Sequence, residues 1–265
     1  MLNGHNFGLA GLLNNGLTTM FDLQGYEASI LSGALLTIQV AVLSLLLAVV
    51  LGMAGALAKM APYRFARSIA TLYTTIIRGI PDLVLMMLIF FGGQILLNNS
   101  LYAVNEWINE WMVSSDPAHE WTAYLPDYID ISPFVAGVLT IGFIFGAYMA
   151  ETVRGAIMAV DKGELEAAKA YGMSGPMAFK RVLLPQMIRH ALPGFGNNWL
   201  VLLKTTALVS IIGLEDMVRV GSLAAGSTKM PFTFYMTISI IFLFFTSVST
   251  GLLKLAERKF SIHTR

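Results

Sequence analysis

Glu164-Leu-Glu-Ala-Ala-Lys-Ala-Tyr-Gly172, continued by Met173-Ser-Gly-Pro-Met-Ala-Phe-Lys-Arg-Val-Leu-Leu-Pro185, stands between long apolar segments and resembles neither of its neighbours. Ala, Leu, Glu and Lys are strong helix formers, so the first half reads as a short amphipathic helix. Gly172 suits the position just past a helix end, and Pro176 suits the first turn of the next helix. The stretch is therefore a helical elbow, two short helices joined by a tight turn, projecting from an apolar body.

That body is too apolar for water. Of 265 residues, 56% are hydrophobic and 12% charged, with a mean hydropathy of +0.68; soluble domains carry about 25% charged residues, so membrane lipid must be the solvent. A formal net charge of +1 is too small for a nucleic-acid surface, and no basic tract with interleaved aromatics occurs. The absence of cysteine excludes disulfides and thiolate metal sites. His5, His119, His190 and His263 lack ligand spacing, so neither a metal nor another cofactor is expected.

Apolar length and loop charge predict an all-α, polytopic chain with one domain over residues 30–265, preceded by an extracytoplasmic segment over 1–29. That segment has no Lys or Arg, and Asn14-Asn15-Gly16 and Asp22 interrupt its apolar runs, which argues against a cleavable signal peptide. The first span is expected over 30–58, long enough for the roughly 30 Å hydrocarbon core. It ends in Gly52-Met-Ala-Gly55-Ala56, small residues that permit close helix contact. Lys59, Arg64 and Arg67 then read as a basic loop, which the positive-inside rule assigns to the cytoplasm. The second span, over 69–97, contains Arg78-Gly79-Ile-Pro81-Asp82, expected to break the helix in mid-membrane.

Residues 98–132 carry six acidic residues, no Lys or Arg, and Trp107, Trp111 and Trp121, the pattern of an extracytoplasmic loop at the interface. Some helix is expected over 102–112. The third span covers 134–160 and returns the chain inward to the elbow, 163–185, which carries Lys169, Lys180 and Arg181. A fourth span follows over 191–214, then a loop over 215–230 whose mixed charges are uninformative, then a fifth span over 232–255 that ends in Lys254, Arg258 and Lys259. Five spans put the amino terminus outside, in the periplasm if the membrane is a cell inner membrane, and the carboxyl terminus in the cytoplasm.

Two sets of residues are candidates for function. The elbow is either a connection resting on the bilayer surface or a plug for a groove in another protein. Glu164, Glu166 and Lys169 with the small Ala167 and Ala168 make a poor lipid anchor, which favours the plug. The second set is the charged groups inside spans, each of which costs roughly 2.5 to 3.5 kcal/mol at a helix centre. Asp82 and Glu151 are either neutralised locally, by Arg78 and Arg154 one turn away, or exposed to a central cavity where they receive a cationic substrate. Lys204, with Thr205 and Thr206, either receives a substrate carboxylate or hydrogen-bonds neighbouring span ends, the structural reading being favoured, and Asn197 and Asn198 read as interhelical hydrogen-bonding glue. No G-x-x-x-x-G-K-[ST] phosphate loop is present, so nucleotide, if used, binds another polypeptide.

Glu166-Ala167-Ala168 followed by Gly172 and by Leu184-Pro185 resembles the coupling loop of importer-type ABC permeases. Gly146-Ala-Tyr-Met-Ala-Glu-Thr-Val-Arg-Gly155, Leu192-Pro-Gly-Phe-Gly-Asn-Asn-Trp199 and Arg78-Gly-Ile-Pro-Asp-Leu-Val-Leu85 are similar to the polar amino-acid branch, closest to permeases of the histidine/lysine/arginine/ornithine type. The resemblance implies a type I ABC importer permease fold with a cytoplasmic coupling helix in the cell inner membrane. It also implies a second permease subunit as heterodimer partner, two ATP-binding subunits and a periplasmic basic amino-acid binding protein. In that frame Glu166 faces a basic group on the ATPase, Ala167 and Ala168 permit close approach, and Gly172 sets the elbow. Asp82, at the variable position of its motif, is the first candidate for the substrate side chain and Glu151 the second. The chain itself would be no enzyme, since ATP hydrolysis belongs to a partner.

Two rival readings remain at this point. An ion-coupled secondary transporter or channel would use Asp82 or Glu151 as its coupling site, though its two similar halves do not occur in five spans. A membrane-embedded enzyme would need a nucleophile-base or metal constellation, and none is present. The topology is directly testable: reporters fused at residue 115 should be active only outside the cytoplasm and those at residue 170 only inside, and the reverse pattern would overturn it.

Overall fold

The computed structural model describes residues 23–115, 126 and 128–260. The expected 1–29 segment and 98–132 loop thus lie partly outside the described residues. The described elements are helical: α1 (Glu27–Met60), α2 (Arg64–Gly79), α3 (Asp82–Ser115), α4 (Pro133–Met158), α5 (Lys162–Ala170), α6 (Gly175–Ala178), α7 (Leu184–Thr205), α8 (Met217–Thr228) and α9 (Pro231–Phe260). A π-helical turn, Phe179–Leu183, joins α6 to α7, and a 3-10 turn, Thr206–Ser210, follows α7. Among the described residues, four helices are long and apolar enough to cross a membrane: α1, α3 up to Met112, α4 and α9.

The core forms where α1 lies along α4. Glycines let the two backbones approach: a Cβ on Gly52 would stand 2.4 Å from the Met149 Cβ, and one on Gly142 would stand 2.6 Å from Leu47. The rows Leu47 with Gly142, Leu51 with Gly146 and Gly55 with Ala150 advance together, so the helices run parallel. Val40, Ala48, Ile141, Phe145 and Met149 fill the seam, and Leu202 and Leu203 of α7 close it. Of the most apolar stretch of each helix, 61% is buried in α4 but only 11% in α3 and 6% in α9. α4 is therefore the central post, and α3 and α9 turn their apolar faces outward.

The expected second span, 69–97, is two helices. α2 ends at Gly79, Ile80 is extended (φ −110°, ψ 140°), and Asp82 starts α3, because Pro81 restricts the residue before it to extended backbone. α3 then runs without interruption to Ser115, absorbing the start of the expected loop. Gln94 and Asn98, one turn apart on α3, clamp the chain that leads into α4. The Asn98 Oδ1 accepts from the Ile129 N–H (2.8 Å) and the Gln94 Oε1 from the Ile131 N–H (3.0 Å), while both amide groups donate to the Ile129 carbonyl.

Lys59 belongs to the last turn of α1 rather than to a loop. α7 starts at Leu184 and ends at Thr205, earlier at both ends than the expected 191–214. The uninformative 215–230 stretch contains α8, whose N-cap Asp216 accepts from the Arg219 N–H (2.9 Å). The Met217 backbone touches α1 where a Cβ on Gly33 would stand 2.7 Å away. Asp216 is fully buried and, among the described residues, its Oδ2 has no hydrogen-bond partner. It lies outside the four apolar helices, and burial pushes its carboxyl up to about 6.

Gly52→Val should destabilise the protein by about 1–3 kcal/mol, because overpacking a fitted seam forces backbone shifts. Gly92, with nothing among the described residues within 4 Å of an added Cβ, is the control. Thermal unfolding in detergent should show a clear loss for Gly52→Val and little change for Gly92→Ala; equal losses would contradict the seam.

Candidate functional site

The first candidate site is the break between α2 and α3 where it meets α4. The Arg78 guanidinium lies over the Tyr148 ring, 5.7 Å from its centre, and Tyr148 is within electrostatic reach of both Arg78 and Asp82. The Tyr73 hydroxyl donates to the Phe143 carbonyl of α4, holding α2 against the post. Asp82 is half-buried in the first turn of α3, where the positive helix end favours a carboxylate.

Glu151 follows Tyr148 by three residues, about 4.5 Å along α4, so depth separates the two acids less than their places in sequence suggest. Glu151 is nevertheless engaged. Its Oε1 pairs with the Lys59 ammonium and its Oε2 with the Arg154 Nε (3.2 Å). Lys59 also donates to the Thr74 hydroxyl at 2.6 Å, so one small network ties α1, α2 and α4. The side chains of Lys59 and Glu151 are only 11% and 21% exposed, and water screens them little.

The sequence reading missed Lys59, Thr74 and Tyr148. A signal for Lys59 was available: Ala48, Gly52 and Ala56 are buried on α1, and Lys59 continues that stripe at a spacing of three. Thr205 and Thr206 spend their hydroxyls on the Val201 and Leu203 carbonyls, and Lys204 beside them is exposed. Asn198 of α7 donates to the Thr152 hydroxyl of α4 at 2.9 Å, the interhelical role its sequence context suggests.

The second candidate site is the elbow. The Asp161 carboxylate caps α5 by accepting from the Gly163 N–H (2.8 Å). At the other end the Met173 N–H reaches the Ala168 carbonyl (3.1 Å) and the Gly172 N–H the Lys169 carbonyl (2.9 Å), the paired bonds of a Schellman end. Gly172 has φ +81°, a backbone state that side-chain-bearing residues rarely adopt. Glu166 and Ala167 are exposed, whereas Ala168 is buried against the second arm of the elbow. The two alanines therefore differ: Ala167 faces outward and Ala168 packs the elbow itself.

The second arm is continuous with α7. Pro185 has no N–H to donate and its ring crowds the carbonyl four residues earlier, and the π turn over Phe179–Leu183 accommodates this by bonding the Leu184 N–H to the Phe179 carbonyl. Gln186 at the base of α7 donates to the Glu164 carboxylate, closing the two arms. α5 is thus carried between two rods, α4 before it and α7 after it. An exposed, charged helix of mixed sign held on two core helices suits a lever driven from outside the bilayer.

Residues 45–262 match the family described as the binding-protein-dependent transport system inner membrane component. The chain belongs to that family. It is a multi-pass inner-membrane permease component. It is 47% identical over 240 residues to the histidine/lysine/arginine/ornithine transport system permease protein HisQ of Escherichia coli K12, covering 91% of this chain and 96% of that protein. It is 39% identical to the nopaline transport system permease protein NocQ of Agrobacterium fabrum, covering 87% and 90%. Among solved structures, an amino acid ABC transporter crystallised with histidines matches at a TM-score of 0.70 and 31% identity over 88% of this chain and 95% of that one. The MetNI methionine ABC transporter in an inward-facing form matches at a TM-score of 0.65 and 15% identity over 88% and 96%, a likeness of fold alone.

Removing one partner of a largely buried ion pair strands the other charge, at a cost of about 3–5 kcal/mol. Lys59→Met should therefore lower the unfolding temperature of the permease sharply, and Lys59→Met with Glu151→Leu should recover much of the loss. If the two single losses simply add in the double variant, the Lys59–Glu151 coupling is not present.

Proposed function

We propose that this chain is one of two permease subunits of an ATP-driven importer of basic amino acids. The observation that carries the reading is near-full-length similarity to permeases of histidine/lysine/arginine/ornithine and nopaline transport systems. Its other parts are a second permease chain, two ATP-binding subunits and a periplasmic binding protein. The chain performs no covalent chemistry.

Five crossings describe the domain: the four apolar helices, with α2 leading into α3, and α7 as the fifth. At about 1.5 Å per residue, the 22 residues of α7 reach about 33 Å, enough to cross even though its composition is more polar. The parallel run of α1 and α4 supports this arrangement, since α2 and α3 must carry the chain back across between them. The amino terminus is then periplasmic, and the elbow and carboxyl terminus are cytoplasmic.

In this scheme Glu166 and Ala167 form the surface gripped by the ATPase, while Gly172 and Ala168 hold the elbow's shape. Closing of the ATPase dimer displaces α5, and α4 and α7 carry the displacement to the core. Asp82 receives the cationic side chain of the cargo at the α2–α3 break. Glu151 takes part when the cargo or a change of state draws Lys59 away; at rest it neutralises Lys59 and Arg154.

Proteoliposomes holding the full complex decide the reading. Uptake of lysine, arginine or histidine should require ATP and binding protein, and uptake without ATP that collapses with an ion gradient would establish secondary transport instead. Glu166→Lys should insert normally yet abolish most uptake. A hydrogen bond to a charged group is worth about 1.5–3 kcal/mol, so Asp82→Asn should weaken uptake of basic substrates about tenfold or more and of neutral ones little. Equal losses for both would remove Asp82 from recognition.

A further inference from the structure

α2 has two exposed faces of opposite character. At about 100° per residue, Arg64, Arg67, Ser68, Thr71, Thr75 and Arg78 fall within one arc of about 100°, and all six are exposed in the chain. Ala70, Thr74 and Ile77 turn inward to the core. Phe65, Ile69 and Ile76, also exposed, lie away from the polar arc. The polar stripe holds three arginines and no acid, and among the described residues neither Arg64 nor Arg67 has an ion-pair partner. It extends about 21 Å from Arg64 to Arg78 and stops at the break, where Asp82 begins α3.

Such a face is ill suited to lipid. Arg78, at the break, would cost roughly 2.5 to 3.5 kcal/mol against hydrocarbon; Arg64 and Arg67, in the first turn of α2, can snorkel, but Ser68, Thr71 and Thr75 continue the polar face between them and Arg78. Apart from Arg78 over Tyr148, the fold does not require this face, since α2 is already fixed to α1 and α4 through Lys59–Thr74 and Tyr73–Phe143. A stripe of hydroxyls and cations three or four residues apart offers successive anion contacts about 5 Å apart.

We propose that the polar stripe of α2 is the wall of the aqueous path on the elbow side of the break, and that it conducts the cargo by its α-carboxylate. This rests on the importer reading and deepens it. Asp82 at the outer limit of the stripe sorts the cargo by its cationic side chain, whereas the stripe takes the carboxylate common to all α-amino acids. A cationic side chain gains nothing from Arg67 and Arg64, so the cargo moves with its carboxylate toward the stripe.

The chain contains no cysteine, which makes single-cysteine variants clean probes. In the assembled transporter, Ser68→Cys, Thr71→Cys and Thr75→Cys should react with a water-soluble anionic methanethiosulfonate, while Ile69→Cys and Ile76→Cys, in lipid, should react at least about tenfold more slowly. Adding Arg67→Gln to Thr71→Cys should lower the ratio of anionic to cationic reagent rates severalfold, since a unit charge is removed within one helical turn. Equal reactivity on both faces, silent cysteines along the stripe because a second chain or lipid covers it, or an unchanged reagent ratio would each overturn the proposal. These readouts involve no cargo. Failure of ATP-driven uptake by the unmodified complex would instead count against the importer reading and leave the accessibility pattern to stand or fall separately.

Discussion

The contact of α1 along α4 is the constraint from which the rest of the structure follows. Lipid tails are as apolar as side chains, so helices in a membrane gain little from hydrophobicity by meeting each other and must be held by close packing and hydrogen bonds. Gly52, Gly142 and Gly146 supply that packing by removing the Cβ atoms that Met149, Leu47 and Leu51 would otherwise meet. With α1 and α4 parallel, α2 and α3 have one way back across, and α7 docks on the remaining side of α4 through Leu202, Leu203 and the Asn198–Thr152 bond.

α4 also links the two candidate sites. Tyr148 and Glu151 on its surface meet the α2–α3 break and the Lys59 network, and the chain reaches the Asp161 cap of the elbow ten residues after Glu151, about 15 Å in helical rise. The elbow returns through the π turn into α7, which packs on the same helix. A push on α5 therefore reaches packed helices directly, and close-packed interfaces transmit displacement because they deform little. The polar groups at the break are then near enough to respond to motion that begins outside the bilayer.

Much of this was legible in the sequence because membrane solvent imposes strong rules. Apolar length marked α1, α4 and α9 within a few residues, Pro81 marked the break, and Gly172 with Pro176 marked the elbow, each through a local backbone requirement. The misplacements have physical causes as well. Lys59 read as a loop residue because a cation after an apolar run usually meets water, and only the presence of Glu151 and Thr74 across the seam makes its burial tolerable. α8 was invisible because its twelve residues carry mixed polarity, and its place in the fold is set by burial of its N-cap Asp216 and by contact of Met217 with Gly33.

The sequence by itself determined that the chain is helical, lives in lipid, carries no nucleotide loop and bears a charged helical elbow, because solvent, backbone propensity and turn geometry act over a few neighbouring residues. Tertiary structure alone decided which acid is ion-paired and which, among the described residues, is not. It also decided that Ala167 rather than Ala168 faces outward, and that α4 is the post on which both sites stand. Those outcomes depend on groups far apart in the chain meeting across a seam, and no local pattern of residues encodes which atoms will be within reach.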